Sequence, residues 1–126
     1  MVIVDTCGWI EWFTDGVLAN KFAAHLLAFD KLLVPSCIQF ELYKWIKREH
    51  NEALALEIIA LTEKGLVLPL TTSLALSAAD LALEYKLSFA DSLIYATAQS
   101  RNATLITCDD HFQDLANVTF YSKAYG

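Results

Sequence analysis

Four carboxylates stand out in this sequence by where they fall: Asp5, Glu41, Asp91 and Asp109. Asp5 follows the aliphatic run Val2-Ile3-Val4, and Asp109 comes shortly after Thr104-Leu105-Ile106-Thr107. Glu41 lies between Cys37 and Trp45 at the edge of an apolar arc that also holds Ile38 and Leu42, at about 100° per residue of helix. Asp91 lies in a stretch that is apolar nearly all round, from Phe89 to Ala98, and such a helix is buried. It has no basic residue in its own helix before Arg101. An acid held in such surroundings costs desolvation energy unless it is paired or bound to a cation. No cluster of Lys or Arg is near enough in sequence to neutralise several of these acids. A hard divalent cation with oxygen ligands, Mg²⁺ or Mn²⁺, would do so, and the absence of a His or Cys cluster argues against zinc. A cation held this way lowers the pKa of a bound water, which carboxylates can orient and deprotonate.

Each acid also has a purely structural explanation. Asp5 is a favoured type for the N-cap of the helix that follows it. Ser88 and Asp91 form an S-x-x-D capping box, and Asp109 or Asp110 can cap the turn before His111-Phe112. Glu41 can pair with Lys44, three residues on, or with Arg48 one turn further. From the residues alone both explanations stay open, so what matters is whether the chain brings the acids together.

The elements that would do this alternate between strand and helix. Val2 to Val4, Lys31 to Val34, Leu66 to Leu70, Thr104 to Thr107 and Val118 to Tyr121 are short apolar runs that predict strands, with Pro69 pushing the third towards a sheet edge. Helical spacing covers Cys7 to Phe13, Val17 to Phe29, Ser36 to Glu49, Glu52 to Lys64, Thr72 to Tyr85 and Ser88 to Arg101, and a short turn runs from Asp110 to Leu115. Ser36-Cys37-Ile38-Gln39 fits an S-x-x-Q capping box, and Gly65 supplies a helix stop. Such alternation predicts a mainly parallel sheet covered on both faces. Ligands of these sheets bind beyond the carboxyl ends of the strands, where strand order reverses. The first and fourth strands both end in acids.

With 126 residues, 56% of them hydrophobic and 19% charged, the chain is expected to form a single domain, 1–126, and not a disordered segment. The apolar excess suggests a homodimer. A net charge of −6 argues against a protein that grips nucleic acid mainly by neutralising phosphates, but not against an enzyme that holds it through a metal. Charges break every apolar run before about 18 residues, so no membrane span is expected. No signal peptide is expected, since Met1 opens directly into Val2-Ile3-Val4 with no basic n-region. Cys7, Cys37 and Cys108 match neither a disulfide framework nor a zinc pattern and are expected to be buried, reduced core residues in a cytoplasmic protein. His25, His50 and His111 are assigned to surface or packing. Trp9, Trp12, Trp45 and most Phe residues are assigned to core or interface.

Four blocks, in order and over essentially the whole chain, resemble the PIN-domain ribonucleases, specifically VapC-type toxins of toxin–antitoxin pairs. Val2-Ile3-Val4-Asp5-Thr6 is similar to the family's opening strand and D-[ST]. Ser36 to Leu42 resembles the helix bearing its second acid. Leu87-Ser88-Phe89-Ala90-Asp91-Ser92-Leu93-Ile94-Tyr95-Ala96-Thr97-Ala98 resembles L-[ST]-x-x-D-[AS]-L-I-x-A-x-A. Leu105-Ile106-Thr107-Cys108-Asp109-Asp110-His111-Phe112 resembles L-[IV]-T-x-D-x-x-F. Asn102-Ala103 stands where the family often has Gly.

The resemblance implies a Rossmann-like sheet of order 3-2-1-4-5, with Mg²⁺ or Mn²⁺ held at its switch point. It implies hydrolysis of single-stranded RNA, usually tRNA, leaving a 5′-phosphate and a 3′-hydroxyl, and neutralisation by an antitoxin. Asp5, Glu41, Asp91 and Asp109 carry over as the catalytic, metal-binding quartet. Thr6 and Thr107 are candidates to orient it, and Asp110 is a candidate fifth carboxylate. RNA contacts are expected from Lys44, Lys47 and Arg48, and a basic antitoxin segment could set an Arg against the acids. A phospho-acceptor receiver domain is the rival on the same kind of sheet. It needs an acid at the end of the third strand, where Leu70-Thr71-Thr72 stands, and a Lys after the fifth, where Lys123 stands alone. A dehalogenase-like phosphatase needs D-x-D, which Asp5-Thr6-Cys7 is not. A catalytically silent PIN module would be expected to lack one of the four acids.

Overall fold

The computed structural model describes residues 1–123. It contains β1 (Val2–Val4), α1 (Thr6–Phe13), α2 (Ala19–Leu26), β2 (Leu32–Pro35), α3 (Ser36–Glu49), α4 (Glu52–Thr62), β3 (Leu66–Leu68), α5 (Thr72–Tyr85), α6 (Phe89–Ser100), β4 (Thr104–Thr107) and β5 (Val118–Phe120), with single 3-10 turns at Phe29–Lys31 and Asp110–Phe112. The five strands form one parallel sheet in the order β3-β2-β1-β4-β5. The sheet is the expected one, and β3 lies at its edge. The direction of chain crossover reverses between β1 and β4, which pair Val2 with Thr104, Ile3 with Leu105 and Val4 with Ile106.

The three central strands are short and mostly apolar because both faces of the sheet's centre are covered. Ile3, Val4, Leu33, Val34, Leu105 and Ile106 are all at most 2% exposed. Against them pack Trp9 of α1, Phe22 of α2, Ile38 and Leu42 of α3, and Ile94 and Tyr95 of α6. Gly8 lets α1 lie close against this core, since a Cβ there would stand 2.6 Å from both the Phe22 ring and Val4.

Several boundaries differ from the sequence reading. The second helix covers Ala19–Leu26, and the residues before β2 form a 3-10 turn instead of continuing it. β3 stops at Leu68, before Pro69, which cannot donate to a ladder. The Ser36–Gln39 capping box does not form. β2 runs into α3 without a loop, so Pro35 takes the cap position and no side chain caps the helix. Gln39 instead donates to Thr62 Oγ1 and Glu63 Oε1 at the end of α4, both at 3.0 Å. Among the described residues, no helix is long and apolar enough to cross a membrane.

The cysteines are free and half-buried instead of buried, and Cys37 and Cys108 pack against the edge of the core. Phe40 and Phe89, at 67% and 78% exposed, lie outside the core. Trp9, at 1% exposed, lies within it.

Candidate active site

β1 ends at Val4, and the chain turns into α1 with Asp5 as its N-cap: Asp5 Oδ1 accepts the Thr6 N–H at 2.8 Å. The capping explanation of Asp5 is therefore correct, but it uses only one carboxylate oxygen. The other, Oδ2, accepts the Thr107 hydroxyl at 2.8 Å and lies 3.6 Å from Cys7 Sγ. Thr107 is the last residue of β4 and is fully buried. Its hydroxyl oxygen also accepts the Asp109 N–H at 2.9 Å. One threonine thus ties the acid after β1 to the backbone of the acid after β4, across the switch point.

Asp91 arrives from α6. Ser88 caps that helix by accepting the Asp91 N–H at 3.3 Å, as the S-x-x-D spacing predicts. The Asp91 carboxylate points towards the end of β4. Its Oδ2 lies 3.5 Å from His111 Nδ1, and the same nitrogen lies 3.2 Å from Asp109 Oδ1. Asp109 also caps the turn that follows it, accepting the His111 N–H at 3.0 Å. Glu41 comes from α3, and its Oε1 accepts the Thr6 hydroxyl at 2.6 Å. No ion pair joins Glu41 to Lys44 or Arg48 among the described residues; Arg48 pairs with Glu49 at 3.0 Å.

Electrostatics links the acids that bonds do not. Burial pushes the Asp5 carboxyl well above the ordinary carboxylate range, and the Asp91 charge adds to the rise. Burial also raises Asp91, followed by the nearby Asp109 charge. Burial, then the Glu41 charge, pushes the Cys37 thiol up to about 11. Like charges close together in a partly dry site disfavour one another's ionised forms. A bound divalent cation would reverse that penalty. Hard oxygen donors, one of them only 4% exposed, with no Lys or Arg in ion-pair reach among the described residues, are a fitting donor set for such a cation.

The structure therefore brings Asp91 and Asp109 together at His111, ties Asp5 to the Asp109 backbone through Thr107 and within electrostatic reach of Asp91, and links Glu41 to Thr6, the residue after Asp5. Thr6 and Thr107 each donate a hydrogen bond to one of the acids. Asp110 begins the 3-10 turn, is exposed and makes none of these bonds. Lys44 and Arg48 line a cleft of about 280 Å³ with Thr6, Ile10, Phe40, Glu41 and Trp45. Lys47 does not line it and lies instead over the Tyr43 ring, whose hydroxyl reaches Glu52 of α4. Lys123 pairs with Glu11 at 3.2 Å. It does not pair with an acid of the site, and this removes the receiver-domain rival's remaining support.

The sequence reading missed two side chains. Cys7 Sγ accepts the Cys108 N–H at 3.3 Å and lies 3.4 Å from Thr107 Oγ1. Its hydrogen bond to the Cys108 side chain, reinforced by burial, pushes the thiol far up, so Cys7 sits beside Asp5 as a neutral group. His111, assigned to surface or packing, touches two of the four acids while 71% of its side chain stays exposed. Its position two residues after Asp109, inside a one-turn helix, is the signal that could have found it. His25 and His50 do serve packing, against Tyr121 and against Phe13 and Trp45.

Comparison with known proteins adds an independent observation. The fold is shared with a toxin–antitoxin complex from Klebsiella pneumoniae, at a TM-score of 0.81 and 22% identity, over 97% of this chain and 99% of that one. It is shared with VapBC-1 from nontypeable Haemophilus influenzae, at a TM-score of 0.72 and 24% identity, over 98% and 99%. It is also shared with Mycobacterium tuberculosis VapC20, described as a sarcin–ricin loop cleaving toxin, at a TM-score of 0.74 and 16% identity, over 94% and 97%. No curated protein matches the sequence. The PIN domain family model matches residues 2–118, and the chain accordingly belongs to the PIN domain family.

Proposed function

We propose that this chain is a divalent-metal-dependent endoribonuclease, a single PIN domain over 1–126 that acts in the cytoplasm as the toxin of a toxin–antitoxin pair. The observation that carries the reading is the approach of Asp91 and Asp109, with Asp5 tied in through Thr107 and Glu41 through Thr6, and with no Lys or Arg in ion-pair reach of these acids among the described residues. Family membership and toxin–antitoxin neighbours of the same fold support it. All four acids are present, which favours an enzyme over a silent module.

Asp5, Asp91, Asp109 and Glu41 would hold Mg²⁺ or Mn²⁺. When bound, the ion supplies a water of lowered pKa and offsets charge on the phosphate and leaving oxygens. The residues of the chain do the rest. Thr107 fixes the orientation of the Asp5 carboxylate and of the Asp109 backbone in one stroke. Thr6 holds Glu41 towards the cleft, where its carboxylate can orient a water and accept its proton. No nucleophilic side chain is required, because water is the nucleophile.

Lys44 and Arg48 give the cleft local positive charge in a protein of net charge −6. We assign them to RNA phosphates, with Lys47 in a lesser role. Replacing Lys44 and Arg48 together with Ala is expected to weaken RNA binding roughly tenfold or more and to flatten its salt dependence by about two charges. Unchanged affinity and salt slope would remove this assignment. The same acids would accept an Arg from a basic antitoxin segment. The exposed Leu76, Leu83 and Phe89 support a homodimer.

The test is cleavage of total tRNA, and in parallel of a sarcin–ricin loop RNA, by the purified chain with Mn²⁺. Discrete fragments with 5′-phosphate ends, abolished by a chelator, are expected. Fragments ending in 2′,3′-cyclic phosphates, or cleavage that persists in the chelator, would overturn the mechanism.

A further inference from the structure

We infer that His111 is a nitrogen ligand of the metal at this site, so that the site is not an all-oxygen one and favours Mn²⁺ over Mg²⁺. The inference rests on the reading of the acids as a metal site and adds a residue to it. His111 Nδ1 lies 3.2 Å from Asp109 Oδ1 and 3.5 Å from Asp91 Oδ2. The three ligand atoms of Asp91, Asp109 and His111 all lie within 4.8 Å of one another. Octahedral ligands at about 2.1 Å from an ion are separated by about 3 Å along a cis edge. The two nitrogen–oxygen separations are therefore close to what one shared ion requires, and little side-chain movement would be needed.

The surroundings fit a ligand role better than a packing role. No aromatic or apolar side chain stacks on the His111 ring among the described contacts, unlike His25 and His50. The ring opens instead onto a cavity of about 450 Å³ lined by Tyr85, Lys86, Leu87 and Ser88. The backbone fixes its start: His111 N–H is held by Asp109 Oδ1, so the side chain leaves the turn beside that carboxylate. Nearby, Asp5 brings a carboxylate that is only 4% exposed and has no cationic partner.

The chemical consequence follows from ligand type. Carboxylate oxygens suit Mg²⁺ and Mn²⁺ alike, whereas an imidazole nitrogen favours the transition metal. Mg²⁺ also gives up its water reluctantly and gains little from a nitrogen donor. His111 would thus set the preference between the two ions while the acids set the total affinity.

Pulsed electron paramagnetic resonance of Mn²⁺ bound to the full chain tests this without reference to activity, because a coordinated imidazole imprints nitrogen modulation on the manganese signal. The wild-type chain is expected to show that modulation and His111→Ala to lack it while still binding Mn²⁺. By calorimetry, Mn²⁺ affinity should fall about tenfold or more in His111→Ala, and Mg²⁺ affinity should stay within about twofold. His111→Gln should behave as His111→Ala, and the exposure of the side chain makes both variants foldable. Mn²⁺ bound in an Asp91-dependent way but without nitrogen modulation would overturn the role of His111 and leave the metal site standing. Mn²⁺ binding insensitive to Asp91→Asn would overturn the metal-site reading itself, and this inference with it.

Discussion

Asp5→Asn is expected to do two opposite things: lower RNA cleavage by about 10³-fold or more and make the metal-free protein more stable. The first effect is the loss of several kcal/mol of metal-dependent transition-state stabilisation. The second follows from burial. Asp5 is 4% exposed, and desolvation is the largest cause of its raised pKa. Asn keeps an oxygen for the Thr6 N–H and caps a helix about as well as Asp, while removing the charge that the interior disfavours. The expected gain is about 1–3 kcal/mol, or roughly 3–9 °C in the Tm of the chelated protein. If Asp5 were only a cap, Asp5→Asn would leave both cleavage and Tm unchanged. Asp91→Asn should repeat the pattern with a smaller gain, since its side chain is 16% exposed.

The metal itself should produce the second large effect, and pH should control it. Asp5 and Asp91 are both raised above the ordinary value of 3.8. The folded protein therefore keeps their protons to higher pH than the unfolded chain does. Their contribution to stability is fully present below about 3.8 and is lost as pH rises through their raised values. Deprotonated acids are also what the ion binds, so its benefit grows over the same interval. At neutral pH and 100 times its Kd, Mn²⁺ should add about 2.7 kcal/mol, roughly 8 °C in Tm. Differential scanning calorimetry across pH, with metal and with chelator, checks this. The two Tm curves should converge on acidification and separate towards neutrality. Parallel curves, or no response at neutral pH, would contradict it.

Much of this was legible before any coordinates. The parallel sheet follows from the alternation of strand and helix, its order from the resemblance of the four sequence blocks to the PIN family, and Asp5 and Asp109 fall at the switch point because each follows one of two strands that are natural neighbours there. Asp91 stood out as the one charge in an apolar helix. What escaped was governed by contacts that local pattern does not carry. Ser36 and Gln39 spell a capping box, yet β2 feeds α3 directly and Gln39 finds its partners 23 and 24 residues away on α4. Cys7 looked like a core residue because its contacts with Thr107 and Cys108 span about a hundred positions. Glu41 had two plausible cations on its own helix, and it bonds instead to the Thr6 hydroxyl from α1, a partner that i+3 and i+4 reasoning cannot supply. His111 looked like surface because it is mostly exposed, and exposure says nothing about which acids lie beneath it.

The most direct test is where a divalent ion sits. In crystals grown with Mn²⁺, the anomalous difference map should place the ion within about 2.5 Å of carboxylate oxygens of Asp5, Asp91 and Asp109. Manganese found only at scattered surface carboxylates, with none at those three acids, would contradict the account.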